Sequence, residues 1–178
     1  KHEEAELELK KAISLNPKYA NSYYNLAVLY MGQGNFEKAE LEFKEAIKIK
    51  SDFTIAYYNL GFILRNLGRL KEAESFNKKV LEINPQFTDA YFILSTMQAS
   101  NKTQKWHEQL FSESLLKNKN NRELVNIFFA RSNMLHKEQN YEESSRYLKL
   151  ANKLKLDLKP SKPEMIFNKS KLLLIESN

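Results

Sequence analysis

The chain has 178 residues, is 42% hydrophobic and 28% charged, and carries a formal net charge of +6, a composition typical of a folded domain with a substantial core. The absence of Cys excludes disulfides and thiolate metal sites, and no apolar run approaches the roughly 20 residues that span a bilayer, so we expect a soluble cytoplasmic chain without a membrane partner. The positive excess lies in residues 146–178, which hold 8 Lys/Arg against 3 Asp/Glu without a groove-reading element, so we expect no nucleic-acid partner.

The first predicted element is a charged amphipathic helix in residues 1–19. It carries Ala5, Leu9 and Ala12 on one face and ends near Pro17, because Pro cannot continue a helix. The sequence opens inside this segment, with neither an initiator Met nor a signal peptide. We therefore expect a fragment of a longer protein, in which this helix is the second half of a truncated hairpin.

The next elements repeat with a period of 34 residues. Tyr23, Tyr57 and Tyr91 follow this spacing. The same period relates three leucines: Leu26, Leu60 and Leu94. Within each unit the apolar residues recur at helical spacing, so residues 20–53 and 54–87 are predicted to be two copies of one helical hairpin.

Glycines mark the turn inside each predicted hairpin. Gly32-Gln33-Gly34-Asn35 joins the two helices of the first copy, and Leu67-Gly68-Arg69 joins those of the second. Glycine permits the positive φ that a sharp helix–helix turn requires. Small Ala39 and Ala73 are predicted where the two helices approach closely, since a larger side chain there would push the hairpin apart.

The repeated unit resembles the tetratricopeptide repeat, whose length is about 34 residues and whose pattern is aromatic, Leu, small, aromatic, then Ala, Phe, Ala and Pro. The resemblance implies an all-α, right-handed superhelical solenoid of antiparallel hairpins. It also implies a degenerate repeat in residues 88–121, which lack the expected Gly and Ala, and a further repeat in residues 122–158. Residues 159–178 contain two prolines and are predicted to be a linker or a capping helix, two alternatives that the sequence leaves open.

The sequence offers little for catalysis. His2, His107 and His136 lie in different units without a second ligand at metal-binding spacing, and we expect them to be ordinary helix-surface residues. No glycine-rich phosphate loop or activated nucleophile is recognisable. We therefore expect no catalytic, cofactor-binding or metal-binding residue in this chain.

The candidate site is the inner face, which we define as the surface lined by the first helix of each hairpin and which binds extended peptides in related repeat proteins. Its predicted aromatic residues could grip apolar side chains, while its amides could bond a peptide backbone; the alternative is that the aromatics only pack against neighbouring helices. The predicted residues are Asn21, Tyr24, Asn25, Val28, Tyr58, Asn59, Phe62, Arg65, Phe92, Phe129 and Asn133.

Some tetratricopeptide domains hold an acidic chain terminus with a two-carboxylate clamp of Lys, Asn and Arg. Of the clamp positions, only Asn59 matches here. The others are occupied by Tyr24, Val28, Asp89 and Ile93, and Asp89 would repel a carboxylate. We therefore do not expect this chain to hold a chaperone tail in that way.

Residues 126–158 also resemble the last repeat of bacterial proteins in which tetratricopeptide repeats precede a sulfotransferase domain, through Ile127-Phe128-Phe129-Ala130, Asn140-Tyr141-Glu142-Glu143 and Ala151-Asn152-Lys153-Leu154. The donor-binding motif of that family does not occur in the sequence, so no catalytic residue carries over. The resemblance implies a non-catalytic amino-terminal part of a possible sulfotransferase.

Two functions follow from the sequence. The chain is a scaffold whose inner face binds a protein or peptide ligand or an adjoining catalytic domain, or it is a stand-alone adaptor or structural spacer without an enzymatic parent. We also expect self-association through the solenoid ends, residues 1–19 and 164–178, since truncated ends expose apolar surface.

Overall fold

The computed structural model describes residues 2–97 and 105–158, and these form helices and connecting loops without any strand. The helices are α1 (His2–Leu15), α2 (Ala20–Gly32), α3 (Phe36–Ile49), α4 (Thr54–Asn66), α5 (Leu70–Ile83), α6 (Thr88–Thr96), α7 (Lys105–Phe111), α8 (Asn121–Lys137) and α9 (Tyr141–Leu158). A short 3₁₀ turn, Glu113–Leu116, follows α7. The predicted linker or capping segment, residues 159–178, lies outside the described residues.

The helices α2 with α3 and α4 with α5 pair as two regular hairpins, and α1 packs on α2. Each hairpin closes through a glycine with positive φ, at Gly34 (φ 76°) and Gly68 (φ 75°), as the sequence predicts. After each glycine the next amide bonds back across the helix end, from Asn35 to the Tyr30 carbonyl and from Arg69 to the Leu64 carbonyl, both at 2.9 Å. These bonds satisfy carbonyls that the helix end would otherwise leave unpaired.

Small residues allow the helices of these hairpins to approach closely. Ala39 and Ala73 are fully buried, as predicted. Gly61 on α4 lies so close to α5 that an added Cβ would stand 2.6 Å from the Asn77 amide nitrogen. The buried core of the first part of the chain is built around such contacts, with Leu26 and Leu60 inside it.

An ion network joins the two hairpins on the side of the second helices. The carboxylate of Glu40 on α3 accepts hydrogen bonds from Lys44 and from Arg69, each at 2.6 Å. Burial acts to raise the pKa of Glu40, but these two bonds outweigh it and hold the pKa below the ordinary value. Arg69 also pairs with Glu72 at 2.6 Å, so one guanidinium links successive second helices.

The third unit departs from the hairpin pattern. Helix α6 has nine residues, whereas α2 and α4 have thirteen, and α6 packs chiefly against α8. The predicted second helix of this unit is divided: Trp106 and Leu110 are buried on the short α7, and Leu115 is buried in the 3₁₀ turn. A division of this kind leaves helix-end carbonyls to be satisfied by other groups.

A buried arginine satisfies those carbonyls. The side chain of Arg131 on α8 is only 1% exposed and donates to the carbonyls of Leu110 (2.9 Å) and Ser112 (3.0 Å) at the end of α7. Its guanidinium also donates to the Tyr147 hydroxyl at 3.3 Å and lies 5.7 Å from the Phe111 ring centroid. The arginine thereby joins α7, α8 and α9.

The last hairpin, α8 with α9, has close contacts that use hydroxyls. Ser132 and Ser144 each donate to the other's backbone carbonyl at 2.9 Å. Its turn contains Gln139 with φ 61°, and the following Asn140 amide bonds to the Leu135 carbonyl at 2.9 Å. This hairpin therefore keeps the geometry of the earlier ones with different residues.

Candidate functional site

The inner face is continuous from α2 to α8, because polar and aromatic contacts join its helices in order. Asn59 on α4 donates to the Tyr24 hydroxyl on α2 at 3.3 Å. Tyr58 packs against Phe87, which immediately precedes α6, with ring centroids 5.1 Å apart. These contacts place the predicted residues of α2 and α4 beside those of α6.

The contacts continue between α6 and α8. Asn126 donates to the Asp89 carboxylate at 3.1 Å, and Asn133 donates to the Ser95 hydroxyl at 3.1 Å. Between these two bonds, the rings of Phe92 and Phe129 lie 6.2 Å apart. The amide groups of the inner face thus connect neighbouring repeats and retain carbonyl oxygens that can accept further bonds.

Solvent reaches the predicted residues to different degrees. Tyr24 is half-buried against Phe43 and Phe53, with centroids 5.7 and 5.1 Å away, and Tyr58 and Phe92 are also half-buried. These aromatics therefore pack against neighbours while part of each side chain stays accessible, and their role in peptide binding stays a prediction. The residues on the inner face that are exposed are Asn21, Asn25, Val28 and Phe62, and those that are half-buried are Tyr24, Tyr58, Asn59, Arg65, Phe92, Phe129 and Asn133.

The tyrosines that directly precede Tyr24, Tyr58 and Phe92 in the sequence contact other parts of the fold. Tyr23 donates to the Pro17 carbonyl at 3.2 Å, and Tyr57 packs against Phe76 with ring centroids 6.0 Å apart. In the third unit Tyr91 is fully buried and donates to the Pro85 carbonyl at 2.9 Å; burial raises the pKa of its phenol to about 12. This row of tyrosines holds loops and helices in place behind the inner face.

Charged groups surround Tyr58. Burial raises the pKa of its phenol, and the negative charge of Asp89 adds to the effect. The positive charges of Arg65 and Arg122 act in the opposite direction. The phenol is therefore neutral at pH 7, and charges on α4, α6 and α8 act on it.

Sequence reasoning missed two cations of this surface. Arg122 stands one helical turn before Asn126, a spacing that could have revealed it. Lys155 on α9 lies 5.6 Å from the centroid of Phe129, a contact that depends on how α9 crosses α8 and has no signal in the sequence.

Among the cavities of the described residues, two border helices of the third unit and lie away from the middle of the inner face. One of about 400 Å³ lies between α5 and α7 and is lined by Leu81, Pro85 and Trp106 among others. The second, of about 350 Å³, lies between α6, α8 and α9, beside Asn133 and Lys137. Burial lowers the pKa of Lys137, whose ammonium donates to the Met97 carbonyl.

The histidines do not form a site in the described residues. His107 is not the ordinary surface residue that the sequence suggests: it is half-buried, and its Nε2 lies 2.9 Å from the carboxylate of Glu138 at the end of α8. Across residues 2–97 and 105–158, no group of three or more His, Asp or Glu could hold a metal ion. In the same residues no helix has the length and apolar character needed to cross a membrane.

Comparison with solved structures identifies the class of fold. MamA residues 41 to the end from Desulfovibrio magneticus RS-1 has 16% identity and a TM-score of 0.64, covering 89% of this chain and 88% of that chain. YrrB, described as a tetratricopeptide repeat protein with an unusual peptide-binding site, has 20% identity and a TM-score of 0.60, covering 95% and 84%. PilF of Pseudomonas aeruginosa has 19% identity and a TM-score of 0.61, covering 85% and 68%. At these identities the likeness shows the fold, an all-α solenoid.

Sequence comparison then gives the family of the repeats. Models of the tetratricopeptide repeat match residues 8–41, 30–68 and 54–87. Residues 8–87 of this chain therefore consist of tetratricopeptide repeats. A comparison with curated proteins found no match, and no finding supports the resemblance of residues 126–158 to sulfotransferase repeats.

Proposed function

We propose that this chain is a protein-interaction scaffold whose inner face binds an extended peptide or a segment of a neighbouring domain. The observation that carries the proposal is the composition of the inner face, where aromatic and amide side chains of α2, α4, α6 and α8 form one surface. Exposed Val28 and Phe62, 36% and 37% accessible, supply apolar contacts. Exposed Asn25 supplies a donor and an acceptor for a peptide backbone.

The second helices α3 and α5 differ from the inner face because they carry many charged side chains. The α3 and α5 side chains form ion pairs with each other and along their own helices, such as Glu40 with Arg69 and Glu74 with Lys78. Such paired and hydrated charges gain little from a partner. An accessible aromatic surface gains more, because it leaves water when a ligand binds.

The experiment is a screen of immobilised synthetic peptides, followed by calorimetric titration of the strongest binder with wild-type and variant proteins. Phe62→Ala is expected to weaken binding about 10-fold, since an aromatic anchor at the centre of an interface contributes more than 1 kcal/mol. The matched control is Leu41→Ala, which removes an apolar side chain that is 64% exposed on α3. Circular dichroism checks that both variants are folded.

Binding that survives Phe62→Ala and Val28→Ala but is lost in Leu41→Ala would move the interaction to the second helices and contradict the proposal. Failure of every peptide to bind at high protein concentration would favour the structural-spacer alternative.

The remaining sequence predictions concern parentage, cellular location and assembly. A sulfotransferase parent, a cytoplasmic location and self-association through the solenoid ends stay predictions. We assign no catalytic step to the described residues. Of the two predicted ends, residues 1–19 carry the accessible Leu7 on α1, and residues 164–178 lie outside the described residues. Sedimentation equilibrium that shows a monomer at high concentration would contradict self-association.

A further inference from the structure

The inner face has an unusual distribution of charge. Its first three helices, α2, α4 and α6, carry only two charged side chains, Arg65 and Asp89. In contrast, α3 and α5 carry many charges of both signs, joined into the pairs described above. A charge on the inner face therefore has few neighbours that compete with a ligand for it.

The negative member of this set already has a partner. The carboxylate of Asp89 accepts the Asn126 amide at 3.1 Å. This bond orients the carboxylate toward α8. Asp89 would repel an acidic ligand group placed directly beside it.

The positive members lack such partners in the described residues. Arg65 lies over the ring of Phe62, 5.9 Å from its centroid, and Arg122 is exposed in the first turn of α8. Within residues 2–97 and 105–158, no carboxylate lies within 4.0 Å of either guanidinium. By contrast, Arg69 and Arg146 each pair with a glutamate.

A third cation extends the positive surface. Lys155 lies over Phe129, whose ring contacts Phe92, so a cation adjoins an aromatic ring both on α4 and beside α8. With Arg65, Arg122 and Lys155 positive and Asp89 negative, these four groups have a net charge of +2. The whole chain, at +6, would also attract an acidic partner over longer distances.

We propose that the ligand of the inner face is an acidic extended peptide, whose carboxylates bind Arg65 and Arg122 while an apolar side chain packs on Phe62. This inference rests on the proposed function of the inner face. A guanidinium binds a carboxylate through two parallel hydrogen bonds, which are stronger than those of neutral groups. The site differs from a two-carboxylate clamp, because both arginines lie outside the clamp positions and Asp89 stands between α4 and α8.

The test uses three fluorescent peptides with identical Leu and Phe positions and with intervening residues that are acidic (Asp and Glu), neutral (Asn and Gln) or basic (Lys). Fluorescence anisotropy at low salt is expected to show that the acidic peptide binds about 10-fold more tightly than the neutral one, with the preference falling as salt rises. The basic peptide is expected to bind most weakly.

Variants of the two arginines test which side chains produce the preference for the acidic peptide. Arg65→Gln and Arg122→Gln are each expected to weaken binding of the acidic peptide several-fold more than binding of the neutral peptide. Arg65→Glu is expected to shift the preference toward the basic peptide. The control is Arg146→Gln, which removes a guanidinium whose side chain is 72% exposed and which pairs with Glu143 on α9. Circular dichroism confirms that the variants are folded.

Equal binding of the acidic and neutral peptides, with Phe62→Ala still weakening both, would overturn this inference and leave the proposed function standing. Loss of all peptide binding would overturn both. A single-stranded RNA oligonucleotide that displaces the acidic peptide, and that itself loses affinity in Arg65→Gln, would overturn the inference in favour of a nucleic-acid ligand.

Discussion

The hairpins α4–α5 and α8–α9 both pack two helices closely together, but they use different residues at equivalent positions. Their equivalent positions are 71 residues apart: the core leucine Leu60 corresponds to Arg131, Gly61 to Ser132, and the turn glycine Gly68 to Gln139. Three apolar or conformationally free residues are thus replaced by polar ones. The later hairpin keeps its geometry because Arg131 and Ser132 find hydrogen-bond partners in the fold.

The offset of 71 exceeds two periods by three residues, and these extra residues belong to the unit in which the second helix is divided. A core leucine needs only an apolar surface, but the end of the short α7 presents carbonyls that need donors. Arg131 supplies them without a carboxylate partner within the described residues. The comparison shows that loss of a regular helix in one repeat can be offset by a polar side chain of the next.

The largest expected effect comes from removing this arginine. Arg131→Leu restores the residue type of the regular hairpin but leaves the carbonyls of Leu110 and Ser112 unpaired, and we expect a loss of about 3 kcal/mol in the free energy of unfolding. Urea denaturation measures this loss, and hydrogen exchange should rise in α7. The exposed Arg146→Leu serves as the control and should change stability by less than about 0.5 kcal/mol.

A gain in stability from Arg131→Leu would contradict the stabilising role assigned to the Arg131 hydrogen bonds. It would mean that the cost of burying the guanidinium exceeds the value of its hydrogen bonds, as occurs for some buried ion clusters.

An intermediate effect is expected at the close contact of the regular hairpin. Gly61→Ala places a Cβ 2.6 Å from the Asn77 amide nitrogen, so the cost of overpacking exceeds the gain in helix propensity, with a net loss of about 1–2 kcal/mol. Asn77 is 1% exposed and its carbonyl oxygen has no hydrogen-bond partner among the described residues, so it has little room to move.

The double variant Gly61→Ala/Asn77→Ala tests the cause. Thermal unfolding of the four proteins of the cycle should show a positive coupling, with the double variant more stable than the sum of the single changes implies. Strict additivity would show that the loss does not come from this contact.

The smallest expected effect concerns the turns. Gln139 holds a positive φ that costs a non-glycine residue about 1–2 kcal/mol, so Gln139→Gly should stabilise the protein by about 0.5–1 kcal/mol after the greater entropy of the unfolded glycine chain is included. The matched reverse change, Gly68→Gln, should destabilise the regular hairpin by a similar amount. Chemical denaturation measures both, and a destabilising Gln139→Gly would indicate that the glutamine side chain contributes to the turn.

The sequence was sufficient for the class of fold. The 34-residue period, the glycines at 34 and 68 and the buried alanines at 39 and 73 follow from local geometry, since turns and helix packing impose strict requirements on residue size and φ. The solenoid and its helical hairpins could therefore be predicted from the pattern. The residues of the inner face could be proposed from helical spacing, although their binding role stays a prediction.

Only the tertiary structure decided how the irregular third unit is completed. Nothing local to Arg131 indicates a buried side chain, because its partners at Leu110 and Ser112 come from a different helix and depend on how α7 lies against α8. The half-burial of Tyr24 and Tyr58 likewise depends on Phe53 and Phe87, which precede the following helices. The repeat pattern predicts which helix each residue belongs to. The burial of a side chain, its hydrogen bonds and whether its charge is paired depend on contacts between helices that are distant in the chain.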